Sequence, residues 1–212
     1  MHDLLKTMIL FEANARQTES SSFKRWFGDS KVVDRFGEPL LVYHGTDRTD
    51  IKRFDPDKAG SVQTSDWGKG IYFTPSKWQA DSYREEASLQ QDSEDVRLFQ
   101  DYEDAAKKLG TDTMNASLDL GRESEEYKGL QKYHDAWIKG RKDIRNQKRG
   151  KVYSAYVSLK NPLIYQYEGM TDPYLAEQAL SHGNDGIIIT TDGFEIDEVV
   201  AFNSGQIKVV EN

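Results

Sequence analysis

Gly68-Lys69-Gly70-Ile71-Tyr72-Phe73-Thr74, followed by Pro75 and a run to Tyr83, is the stretch around which the rest of the 212-residue chain is organised. Two glycines lead into a short apolar run, Ile71 to Thr74, which predicts a buried strand. Pro75 suits the first turn of a helix, where its missing N–H costs nothing, so residues 75–83 are expected to be helical. Tyr83 follows Tyr72 by eleven residues, about three helical turns into that segment. Two tyrosines so placed can face each other across a slot as thick as one aromatic ring.

Composition narrows the classes of function. The length fits one domain, or one domain plus appendages, with a real core. A net charge of −8 argues against nonspecific affinity for nucleic acid or an anionic membrane. The chain has no cysteine, which excludes disulfides, thiolate metal sites and cysteine nucleophiles. Its four histidines, His2, His44, His134 and His182, are scattered and show no metal-ligand spacing. No apolar run approaches the roughly 18 residues of a membrane span, and the patch at residues 8–11 is shorter than a signal-peptide core. A soluble cytoplasmic protein without membrane partners is the expectation.

Outward from the glycine-rich stretch, elements follow from apolar spacing. Leu4, Leu5, Met8 and Ile9 recur at helical intervals, so residues 3–15 predict an amphipathic helix, packed on its own domain or docked on a partner. The polar run 17–22 reads as a linker, residues 23–27 as a short helix and residues 31–34 as an edge strand between turns. The domain itself is expected over residues 23–212. Leu40-Leu41-Val42-Tyr43-His44 is a strong strand, and residues 47–65 are loop-like. Residues 84–150 read as a helical insertion, two helices broken near residues 115–121. Strand signals return at residues 152–159, 163–165, 186–190, 199–202 and 207–210, with a helix at 172–181. Strands at both ends around helices indicate an α+β fold of mixed or antiparallel sheets; without strict βαβ alternation, a doubly wound sheet is not expected.

Three points then stand on separate strands: His44, Tyr72 with Tyr83, and Glu198 at the end of the acidic run Glu195-Ile196-Asp197. Each has a bland reading as a hydrogen-bonded core histidine, a core-filling aromatic and a solvated strand-end charge. A carboxylate at the mouth of an apolar strand, however, is aimed at something or stays in water. The constellation, not any single member, carries the functional reading.

Tyr43-His44-Gly45-Thr46, Gly68-Lys69-Gly70-Ile71-Tyr72-Phe73 with Tyr83, and Glu198-Val199-Val200 ending in Gln206-Ile207-Lys208 resemble the His-Tyr-Glu signature of ADP-ribosyltransferases. This is the branch shared by diphtheria-toxin-like enzymes and poly(ADP-ribose) polymerases. Residues 23–46, with Trp26-Phe27-Gly28-Asp29-Ser30-Lys31, are similar to such domains in phage and bacterial multidomain proteins. The resemblance spans about residues 23–83 and 151–208 and leaves 84–150 unexplained. It implies a split β-sandwich and NAD as substrate, with His44, Tyr72 and Glu198 catalytic. His44, Gly45, Thr46, Gly70, Tyr72, Phe73, Tyr83 and Glu198 would bind the dinucleotide: the two tyrosines on the nicotinamide, His44 on a ribose hydroxyl and the Gly45 backbone on the carboxamide. No Rossmann fingerprint is present, since Gly68-x-Gly70 lacks a third glycine.

Departures from the pattern sharpen the expectation. Ala80 stands where relatives often carry a serine to the carboxamide, so that contact is absent. Ile196, two residues before Glu198, replaces the Glu or Gln of arginine-modifying relatives, and Tyr72-Phe73-Thr74 replaces their Ser-Thr-Ser. A single transfer of ADP-ribose to a protein or nucleic-acid acceptor other than arginine is therefore expected, with a phage or bacterial toxin or effector as the biological setting and an antitoxin as a candidate partner. Residues 191–197 would read the acceptor. Lys139, Arg141, Lys142, Arg145, Lys148, Arg149 and Lys151, opposed by Asp143 alone, form either a solvated helix end or a phosphate-tracking patch with Tyr133 and Trp137 for stacking. NAD hydrolysis and an inactive binding module are the competing classes.

Overall fold

The computed structural model describes residues 17–58, 66–90, 92–147 and 149–210. The helix expected over residues 3–15 lies outside them. The chain divides into two compact units: one formed by the chain up to Gly45, Asp50–Asp81 and everything from Val152 onward, the other by Thr46–Thr49 and Ser82–Lys151.

Helix α1 (Ser21–Phe27) lies near the start of the described residues in the first unit. Ser20 caps it, its Oγ accepting from the Phe23 N–H at 3.2 Å, and residues 17–19 are themselves helical. The polar run 17–22 is thus not a linker: serine oxygens satisfy N–H groups left open at a helix start. Phe23 and Phe27 bury one face of α1 against Tyr156 and Val210. The edge strand expected at residues 31–34 shrinks to one bridge, Val33 to Pro39. Asp34 turns the chain back there, its Oδ1 accepting from the N–H groups of Phe36 and Glu38.

Two sheets follow. Strands β1 (Leu41–Thr46), β3 (Lys151–Val157) and β7 (Ile207–Val209) form the first, in the order β1-β3-β7. Strands β2 (Ile71–Phe73), β4 (Leu163–Gln166), β5 (Gly186–Thr190) and β6 (Ile196–Ala201) form the second, in the order β2-β6-β5-β4. Its β4–β5 pair is parallel, while β5–β6 and β2–β6 are antiparallel. The chain is therefore an α+β protein with mixed and antiparallel sheets. Alternation along the strands sends Val42, Ala155 and Val157 from one sheet, and Phe73, Ile188 and Val199 from the other, into a single core. The valine, isoleucine and phenylalanine side chains among them each contribute roughly 1.5–3 kcal/mol by leaving water. A helix near the end of the chain, α6 (Leu175–Ser181), covers the other face of the second sheet through Leu175, Ala176 and Ala179. At one point β1 meets β2: Tyr43 and Thr74 exchange backbone hydrogen bonds of 2.8 and 2.9 Å.

Helix α2 (Lys77–Gln90) begins two residues after Pro75, with the Ser76 hydroxyl accepting from the Gln79 N–H, and the boundary between the units falls within it, after Asp81. The rest of the second unit is helical: α3 (Ser93–Lys108), α4 (Ala116–Asp119) and α5 (Glu125–Asn146). Asp92 caps α3 and Ser124 caps α5. Tyr102, Ala106, Ala116 and Leu130 form its core, so the expected break near residues 115–121 contributes α4 and a buried alanine.

Candidate functional site

Register decides which side chains of the second sheet share a face. Tyr72 pairs with Val200, and Glu198 precedes Val200 by two, so Tyr72, Val200 and Glu198 point to one side. Phe73 and Val199 point to the other, into the core between the sheets. Glu198 is an internal residue of β6, paired with Ile189, rather than a solvated strand end. Burial pushes its carboxyl up to about 7, Asp66 and Asp197 push in the same direction, and one hydrogen bond opposes them.

That bond comes from Trp67, whose indole N–H donates to Glu198 Oε2 at 2.7 Å. Trp67 is 4% exposed and packs against Tyr165 and Tyr167. The Tyr72 hydroxyl fixes the turn that carries it: the Trp67 backbone N–H donates to this oxygen at 3.2 Å, and the hydroxyl donates to the Gly68 carbonyl at 2.5 Å. The Trp67 carbonyl accepts from Ala176 at the start of α6. Gly68 has φ +92°, and a β-carbon there would stand 2.7 Å from the Pro173 carbonyl oxygen, so only glycine fits. Glu198 Oε1 has no hydrogen-bond partner among the described residues.

His44 ends up beside the same strand. Its Nδ1 lies 2.7 Å from the Tyr72 carbonyl oxygen. A carbonyl only accepts, so Nδ1 carries the proton. Burial holds the imidazole pKa below its usual value, which keeps the ring neutral and leaves Nε2 as a lone-pair acceptor. Phe54 meets the ring edge-on at 5.0 Å and Phe73 lies at 5.6 Å. Phe73, 1% exposed, packs against the His44 ring.

Gly45 follows His44 on β1, and Gly70 enters β2 directly against Val200. Thr46 belongs to the second unit, where its hydroxyl donates to Asp47 Oδ1. Tyr83 also belongs to the second unit and is 41% exposed. Ala80 is fully buried, and Ile196 packs against the inter-sheet core. Beyond β5, Asp192 Oδ1 accepts from the N–H groups of Phe194 and Glu195, and this tight turn leaves Phe194 90% exposed.

Three arginines of the basic tract are engaged within their own unit. Arg141 meets Glu86 at 2.9 Å and lies over Trp137, Arg145 faces Glu85 at 3.8 Å, and Arg149 pairs with Asp92. Trp137 packs on Phe99 at 4.9 Å. For these three arginines the contacts fit the structural reading. Lys148 lies outside the described residues.

Sequence reasoning missed Trp67 and Phe54. A signal for the first existed: a tryptophan beside a glycine-rich turn is usually buried, and its N–H then needs an acceptor. Among the described residues, no group of three or more histidines or carboxylates is gathered to hold a metal ion, and no helix is long and apolar enough to cross a membrane.

Residues 34–141 match the family described as ADP-ribosyltransferase in polyvalent proteins. The match takes in His44, Gly68–Phe73 and Tyr83, and it extends through most of the helical segment that the motif resemblance leaves unexplained. Glu198 lies beyond it, so its place in the site rests on geometry. No curated protein matches the chain.

Proposed function

The chain belongs to the ADP-ribosyltransferases of polyvalent proteins, and from that premise we propose that it transfers a single ADP-ribose from NAD to a macromolecular acceptor other than arginine. The observation that carries this reading is Glu198: an acid in mid-strand on the same face as Tyr72, with one oxygen held by Trp67 and the other unpartnered among the described residues.

The reaction breaks the bond between ribose C1′ and the pyridinium nitrogen. The electron pair leaves with neutral nicotinamide, so no acid is required to protonate the leaving group. A lone pair of the acceptor closes on C1′, and its proton passes to solvent. The sugar becomes oxocarbenium-like on the way, as in glycoside hydrolysis. Glu198 accepts a hydrogen bond from the adjacent ribose hydroxyl and stabilises the growing positive charge, an effect typically worth about 3–4 kcal/mol. The pyridinium cation of the substrate itself favours the ionised form of a carboxyl poised near neutrality.

Tyr72 stacks on the nicotinamide, and cation–π attraction adds about 1–2 kcal/mol. The lone pair at His44 Nε2 accepts from a ribose hydroxyl, and the Gly45 backbone holds the carboxamide. The exposed Phe194 supports the loop at residues 191–197 as the acceptor reader. Ile196, in place of Glu or Gln, supports an acceptor other than arginine. The setting, a phage or bacterial toxin or effector acting in the cytoplasm, follows from the resemblance.

The experiment is incubation of the protein with NAD labelled in its ADP-ribose portion and a cell lysate. Label retained on protein or nucleic acid supports transfer and identifies the acceptor class. Free ADP-ribose as the sole product converts the reading to NAD hydrolysis, and intact NAD rejects both.

A further inference from the structure

We infer that Trp67 is a positioning residue for Glu198, holding one carboxylate oxygen through its indole N–H so that the other alone is presented to the ribose. This inference rests on the transferase reading, but the contact behind it does not. An acid on a strand has rotatable bonds, and two equivalent oxygens can each rotate toward the substrate or away from it. Donation to Oε2 at 2.7 Å removes that freedom.

The donor is itself fixed from three sides. Tyr165 and Tyr167 pack its ring, the Tyr72 hydroxyl accepts from its backbone N–H, and Ala176 donates to its carbonyl. Tyr72 therefore has a second task besides offering its ring: its hydroxyl clamps the turn that aims the indole. The same N–H favours the charged form of the acid, against burial and against Asp66 and Asp197, the two charges that act on it. Without that donor, less of the carboxylate is present at neutral pH, and what is present is less well oriented.

The test uses the full chain and measures nicotinamide release from NAD. Trp67→Phe is expected to lower kcat about ten- to hundredfold, the loss of one hydrogen bond to a charged group, with KM within about twofold. The rising limb of its pH profile is expected to move upward from about 7. Folding is checked by circular dichroism. If the phenylalanine variant does not fold, benzothienylalanine at position 67, which keeps the bicyclic ring and removes only the N–H, is expected to give the same kcat loss and the same shift.

A readout independent of activity is the Trp67 indole resonance in a proton–nitrogen spectrum. It is expected to titrate with a midpoint near 7 and to stop titrating in Glu198→Gln. An indole resonance indifferent to pH overturns the contact. Unchanged kcat and pH profile in the substituted chain, with the wild type active, overturn the positioning role. A wild-type chain that titrates in this way yet releases no nicotinamide overturns the NAD reading and the role with it, while the contact stands.

Discussion

Gly70 runs so close to the neighbouring strand that a β-carbon on it would stand 2.2 Å from Val200 Cγ1 and 3.3 Å from the Ala201 carbonyl oxygen. The hydrogen-bonded backbone of β6 cannot yield, and Val200 is fully buried. Gly70→Ala is therefore expected to cost about 1–3 kcal/mol through overpacking, read as a lower urea midpoint with an unchanged slope. Val200 pairs with Tyr72 and shares its face with Glu198 two residues away on β6, so NAD cleavage is expected to fall as well. An alanine variant as stable as its parent rejects this close approach.

His44 is expected to remain neutral, with its proton on Nδ1, across the range in which an ordinary histidine titrates. Burial sets the direction, and the Tyr72 carbonyl sets the tautomer. Nitrogen chemical shifts of the ring distinguish the two tautomers and the cation directly. His44→Ala removes the acceptor at Nε2 and is expected to raise KM for NAD about tenfold or more, the cost of one lost polar contact. A KM within twofold of the parent removes His44 from the ribose.

The strands carrying His44, Tyr72 and Glu198 are legible because β-branched and aromatic residues cluster there between glycine and proline signals. The resemblance orders them. What the sequence hides is pairing between distant residues. Trp67 and Glu198 are 131 residues apart, and they meet because Tyr72 pairs with Val200; a slip of one residue would turn Glu198 into the core. Phe54 sits in a loop whose composition looks solvated, yet its ring lies under His44. The run 17–22 misleads because serines serve linkers and helix caps alike. The three arginines of the basic tract look free in sequence because their carboxylate partners lie about 55 residues or more upstream.

Glu198→Gln is expected to separate stability from turnover. The folded-state carboxyl titrates near 7 against an ordinary 4.5. Between those values the native state holds a proton that the unfolded chain has released, so stability falls as pH rises through this window, by on the order of 3 kcal/mol in total. Glutamine keeps an acceptor for the Trp67 N–H and carries no charge. The variant is expected to melt higher than its parent at pH 8 and no higher at pH 5, while losing about 10² to 10³ in kcat. In the parent, nicotinamide release is expected to rise with pH through about 7 as the carboxylate forms. A flat profile, or turnover by the variant within about threefold of the parent, removes Glu198 from the chemistry.

Phe194 separates transfer from cleavage. The turn that carries it is closed by Asp192, whose carboxylate accepts two backbone N–H bonds and is held below the usual range by them, so the ring projects from a fixed turn. Thr191 donates to Asp197 Oδ2 at 2.6 Å and ties the base of the same loop. A phenylalanine 90% exposed contributes almost nothing to folding, and Phe194→Ala is expected to leave stability within about 0.5 kcal/mol. Docked on an acceptor, the ring would lose its water, a gain of roughly 1.5–3 kcal/mol that hydrolysis of NAD does not use. The alanine variant is therefore expected to release nicotinamide at close to the parental rate without acceptor, while labelling of the lysate acceptor falls about tenfold or more. Equal loss of both activities assigns the ring to NAD binding instead, and equal retention removes it from acceptor recognition.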